Sequence, residues 1–209
     1  MLYWRPLVPG LNDSRGHLTH AVTLSKVADA TVFTGLFYRG EIAAYYKANN
    51  IPEPYDETAR RKIVPETLEA RVLEAFADGT GGALFRKTSC AVSYAHQVPD
   101  YNGHYGIGAE LCGICPLAQI ELCRTAHKVP TAEAVRRVAA QAPGLPDFDI
   151  EDITERAVTV SGLDEQPRYY LQHSLGFQVH DACHPHNPHR HGRAEIGWSG
   201  TNPSTPGAS

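Results

Sequence analysis

Leu2-Tyr3-Trp4-Arg5-Pro6-Leu7-Val8 and Thr31-Val32-Phe33-Thr34-Gly35-Leu36 are the two stretches whose reading decides the fold. Both are apolar, rich in aromatic or β-branched side chains and too short for buried helices, so they read as buried strands. Pro9-Gly10 stops the first, and Asn12-Asp13-Ser14 offers helix N-caps for an amphipathic run to about Val27. Strand, helix and strand at this spacing make a βαβ unit, the building block of a parallel sheet. Such a sheet is covered on both faces, which one unit cannot achieve alone. The chain is therefore expected to open inside a larger α/β arrangement.

Outward from this unit, Glu41 to Tyr46 reads as a short helix ended by Pro52 and Pro54. Pro65 to Ala77, with Leu68, Val72, Leu73 and Phe76 on one side, reads as another. Ala83-Leu84-Phe85 is expected as a third strand that delivers Cys90 from its end. A further helix is expected from Thr131 to about Gln141. After it, Ala157–Val160 and Arg168–Leu171 are expected to pair as a hairpin across a longer loop.

Four of the five cysteines lie close together: Cys90, the pair Cys112-Gly113-Ile114-Cys115, and Cys123. A Cys-x2-Cys pair lets two thiolates converge on one ion or cluster from a single tight turn. Cys123 can return on the next helix, and Cys90 can close the set. Four thiolates suit tetrahedral zinc or an iron–sulfur cluster, and spacing alone does not choose between them. Inert buried cysteines are the plain alternative. A disulfide framework would need an oxidising compartment, and Met1 to Pro9 lacks the basic and apolar regions of a signal peptide. The odd cysteine count points to metal or catalysis over cross-linking, in a chain expected to be cytoplasmic. In the loop Asp100-Tyr101-Asn102-Gly103-His104, acid–base chemistry competes with the plainer role of turn and ligand-orienting hydrogen bonds. His127 is a substitute ligand should Cys90 lie far away.

The composition is that of an ordinary globular protein, with 42% hydrophobic and 20% charged residues. A net charge of −4 gives no broad basic field for nucleic acid. No stretch approaches the roughly 18 apolar residues of a membrane span. Five of the eleven histidines crowd residues 180–191. Imidazoles there suit nickel, copper or zinc, but alternating prolines keep them apart. From Asp181 onward the chain is His/Pro-rich, and after Gly200 Ser/Pro/Gly-rich, a composition expected to lack packed order.

Tyr3-Trp4-Arg5-Pro6-Leu7-Val8-Pro9-Gly10-Leu11-Asn12-Asp13, Thr34-Gly35-Leu36 and the Cys90 to Cys123 region together resemble the C-terminal part of radical S-adenosylmethionine proteins. The resemblance implies that residues 1–88 are the C-terminal part of a partial (β/α) barrel. Residues 89–130 would be an appended cysteine-rich metal or cluster module, 131–180 a small helix-plus-hairpin segment, and 181–209 a tail. It further implies a 4Fe–4S cluster on Cys90, Cys112, Cys115 and Cys123, auxiliary because four protein ligands leave no open iron. Arg5, Asn12 and Asp13 would lie at the barrel edge that meets cofactor or substrate. The family's catalytic Cys-x3-Cys-x2-Cys motif is absent from this sequence. The chain is thus expected not to perform radical chemistry alone, and S-adenosylmethionine would bind only in a complete enzyme. Its implied partner is a separately encoded N-terminal half or a second copy of itself, with a sheet edge exposed at residues 2–8. The alternative from another class is a zinc-stabilised binding module, with nucleic acid met by residues 131–172 through Arg136 and Arg137.

Overall fold

The computed structural model describes residues 1–58, 62–79, 81–105, 109–183, 186–189 and 192–195, the backbone alone being described for 109–110 and for the last two stretches. The expected βαβ unit is present. Strand β1 (Leu2–Leu7) pairs in parallel with β2 (Thr31–Phe37), and helix α1 (Arg15–Ser25) connects them. Ser14 is the N-cap, its hydroxyl accepting from the His17 amide. Helix α2 (Gly40–Ala48) follows, and β3 (Lys62–Ile63) pairs antiparallel with the end of β2. Helix α3 (Glu66–Phe76) then leads to β4 (Leu84–Phe85), parallel to the start of β2. The sheet is thus mixed, and β1 lies at its edge. That position tolerates Pro6, whose missing N–H removes no ladder bond, and the β1–β2 register shifts between Trp4 and Leu7.

Alternation along β2 sends side chains to two cores. On one face Phe33 packs with Leu7, Leu18, Leu68 and Val72, beneath α1 and α3. On the other Val32 packs with Ala30, Phe85 and Ala91, and Cys90 and Cys115 lie against that cluster. The second core thus seats the cysteine region on the sheet. That region is helical: α4 (Thr88–Ala95), the single turn α5 (Ala109–Cys112) and α6 (Leu117–Ala126). Cys90 is therefore carried by a helix that follows β4 after two residues.

The C-terminal unit corrects one expectation. Helix α7 (Ala132–Ala139) stands where expected, with Thr131 capping it and Arg136 and Arg137 exposed. The hairpin partner of β6 (Val158–Ser161), however, is β5 (Asp149–Ile153), upstream of it. Residues 168–171, expected as a strand, lie inside helix α8 (Glu165–Leu175). The helix wins because Leu171 fills a core with Val135, Val158, Phe177 and Val179, a burial that a solvent-side strand could not provide. Gly176 ends it in the left-handed conformation, φ +59. Strand β7 (Val179–Asp181) then pairs in parallel with β6. The tail also departs from expectation, because β8 (His186–His189) and β9 (Gly192–Glu195) pair antiparallel. Residues 196–209, expected to lack order, lie outside the described residues. Among the described residues no helix is long and apolar enough to cross a membrane.

Candidate metal centre

The Cys-x2-Cys pair sits on a tight turn closed by the Cys115 amide donating to the Cys112 carbonyl at 2.9 Å. Pro116 then starts α6, where a residue without an N–H loses nothing, and α6 carries Cys123. Helix α4 brings Cys90 from the sheet side. All four cysteines line one cavity, and all are free thiols. Asp100 and His104 line it too, each 6% exposed.

The loop that carries them is folded on itself. Gly103 N donates to Asp100 O at 3.1 Å, and the Asp100 Oδ2 accepts from the His104 amide at 2.9 Å and from His104 Nδ1 at 2.8 Å. Asp100 Oδ1 is buried and has no hydrogen-bond partner among the described residues. Cys90, Asp100 and His104 offer one ligand atom each, and these three atoms lie within 4.8 Å of one another. Cys123 is held differently, its Sγ accepting from the Asp100 amide at 3.4 Å and from Gln119 Nε2 at 3.5 Å. Gln119 Nε2 also donates to Val98 O at 2.9 Å, which fixes its amide beside the sulfur.

The loop is clamped to the C-terminal unit. Gln172 Nε2 donates to Asn102 Oδ1 at 2.7 Å, and Gln178 Nε2 donates to the Asn102 carbonyl. Gly103 has φ +67, and a Cβ there would lie 2.4 Å from Phe177 Cα and 2.5 Å from Gly176 O. Both contacts are backbone, so Gly103→Ala must push the loop off the unit. It is expected to cost about 1–3 kcal/mol in urea unfolding, and an unchanged midpoint would show that the clamp is absent.

Electrostatics follow from burial. Desolvation pushes the Cys90 thiol well above its ordinary range, and the Asp100 charge and the other three cysteines add to this. Burial and then Cys112 and Cys123 push Cys115 up to about 12. Cys112 is raised by burial, Cys123 and Asp100, with Arg86 opposing. Cys123 is raised by burial and partly relieved by its two N–H donors. Burial would raise the Asp100 carboxyl, but His104, with the Ser89 hydroxyl, outweighs it and holds the group below the usual carboxylate range.

The other expected site residues fall elsewhere. Arg5 Nη1 donates to Thr88 Oγ1 at 3.4 Å, which ties β1 to the first residue of the Cys90 helix. Asn12 instead staples the β1–α1 turn, accepting from Val8 N and donating to Pro6 O, both at 2.8 Å. Asp13 accepts from Gly10 N at 2.9 Å and pairs with Arg71 at 3.1 Å. Neither lines the cysteine cavity. His127 stacks on Phe177 at 5.5 Å and borders a neighbouring cavity of about 230 Å³ that also meets Cys123 and Asp100. The side chains of the histidine-rich run from His184 to His191 lie outside the described residues. Arg86, Lys87 and Gln119 line the cysteine cavity and were not anticipated. The signal for the first two was their place just beyond a parallel strand, where α/β folds build sites. No protein-family model, curated protein or solved structure matches the chain.

Proposed function

We propose that the chain is an iron–sulfur protein, with a 4Fe–4S cluster held by Cys90, Cys112, Cys115 and Cys123. The observation that carries this is the convergence of all four cysteines, from α4, α5, the following turn and α6, on one buried cavity. Four thiolates suit a cluster and a single zinc alike, and the sequence resemblance is what selects the cluster. The fit extends to the donors around it, because Gln119 and the Asp100 amide already point N–H groups at Cys123.

With the sequence resemblance, this makes the chain the C-terminal portion of a radical S-adenosylmethionine-type protein: a partial barrel over 1–88 and a cysteine-rich module over 89–130. The cluster supplies electron relay or substrate anchoring. The catalytic cluster, and with it S-adenosylmethionine, would be held by a part of the complete enzyme other than these residues. Anaerobic purification should give a brown protein with about four irons per chain. A colourless protein with one zinc would sink the reading.

The second reading is a zinc-stabilised binding module with nucleic acid among its partners. It is favoured by the Cys90–Asp100–His104 trio, whose ligand atoms are close enough to share one ion.

A further inference from the structure

The four cysteines are unequal. Cys112, Cys115 and Cys123 lie on one continuous α5–α6 segment whose turn is fixed by its own backbone, whereas Cys90 arrives from a separate helix. Two N–H groups donate to Cys123 Sγ, whereas Cys90 faces a carboxylate and an imidazole. That carboxylate is arranged as a ligand would be. His104 engages Oδ2 through both its ring and its amide, and although the Ser89 hydroxyl also acts on the carboxyl, Oδ1 is buried with no hydrogen bond among the described residues. A buried carboxylate oxygen left unpaired is costly unless something else in the cavity takes its lone pair. His104 plays the orienting part that a hydrogen-bonded neighbour plays for a metal-binding carboxylate.

We propose that Asp100 is an alternative ligand to Cys90, so that three cysteines hold the centre permanently and its fourth corner is shared between a thiolate and a carboxylate. This rests on the iron–sulfur reading above. Oxygen is the weaker donor to such iron than thiolate, so a corner within reach of both is the one replaceable position of an otherwise closed centre.

The test compares full-length chains reconstituted anaerobically with iron and sulfide. Bound iron is counted, and electron paramagnetic resonance is recorded after reduction. Cys90→Ala should keep more than half of the wild-type iron with a changed spectrum, while Cys112→Ala should lose most of it. Adding Asp100→Ala to Cys90→Ala should bring iron down to the Cys112→Ala level. If Cys90→Ala is as iron-poor as Cys112→Ala although circular dichroism shows it folded, or if the double variant is as iron-rich as Cys90→Ala, the shared corner is wrong while the cluster stands. Should Cys90→Ala not fold, Asp100→Ala with Cys90 intact decides: an altered spectrum supports the proposal, and one identical to wild type overturns it. A wild-type chain that binds one zinc and no iron overturns both the proposal and the reading beneath it.

Discussion

Replacing Glu69 by Ala is expected to destabilise the chain by about 3–5 kcal/mol, as the loss of one partner from a buried ion pair does. Glu69, on α3, and Arg86, just past β4, are 3% and 6% exposed, and Arg86 Nε reaches Glu69 Oε1 at 2.5 Å. The buried guanidinium then has one anionic partner fewer, and solvent must be drawn inward to make good the loss. For a chain of this length such a loss lowers the melting midpoint by roughly 6–20 °C. The effect should reach the cysteines, because Arg86 lines their cavity and its charge is the one that favours the Cys112 thiolate. Glu69→Gln separates charge from hydrogen bonding. The neutral amide keeps an acceptor for Nε, so its loss should be clearly smaller. Melting curves of the two variants that coincide with each other would deny the ion pair this role, and a Glu69→Ala curve that coincides with wild type would remove it altogether.

The same pair marks where the sequence stops being legible. Arg86-Lys87 after an apolar run reads as a polar exit from a strand. The buried Arg86 is paired with a carboxylate on α3, 17 residues upstream, which no local pattern announces. The βαβ unit was legible because its evidence is local: two apolar runs, a Pro-Gly stop and a Ser14 cap. The cysteine quartet was legible for the same reason, yet its environment was not. What brings Asp100 and His104 to Cys90 is a glycine at φ +67 that fits against Phe177, far along the chain. Residues 168–171 misled because Tyr169 and Tyr170 favour strands while the boundaries favour a helix. Asp164 stands at the N-cap, Pro167 lies in the first turn and Gly176 closes the end. The true hairpin partner, Asp149–Ile153, hid behind three acidic side chains on a largely solvent-facing strand.

Gly35→Ala is expected to be strongly damaging although it leaves every charged and cysteine residue in place. A Cβ on Gly35 would lie 1.6 Å from the Ile63 carbonyl oxygen, 2.4 Å from its carbon and 2.9 Å from Val64 Cγ2. The first two contacts are backbone, so no side-chain rotation relieves them, and β3 must leave its pairing with Leu36 and Phe37. Val64 follows, and it packs against the core that Leu68 and Val72 of α3 share with Phe33 and Leu7. Overpacking of a core costs about 1–3 kcal/mol when side chains can shift, and the upper end or beyond is expected where only backbone can. The consequence travels toward the site, because α3 also carries Glu69, the partner of Arg86 at the cysteine cavity. Gly35→Ala should therefore lower both the urea midpoint and the iron retained after anaerobic reconstitution, although no residue of the cavity has changed. A lowered midpoint with undiminished iron would confine the damage to the β2–β3 corner. A midpoint equal to wild type would mean that β3 does not approach Gly35 as described.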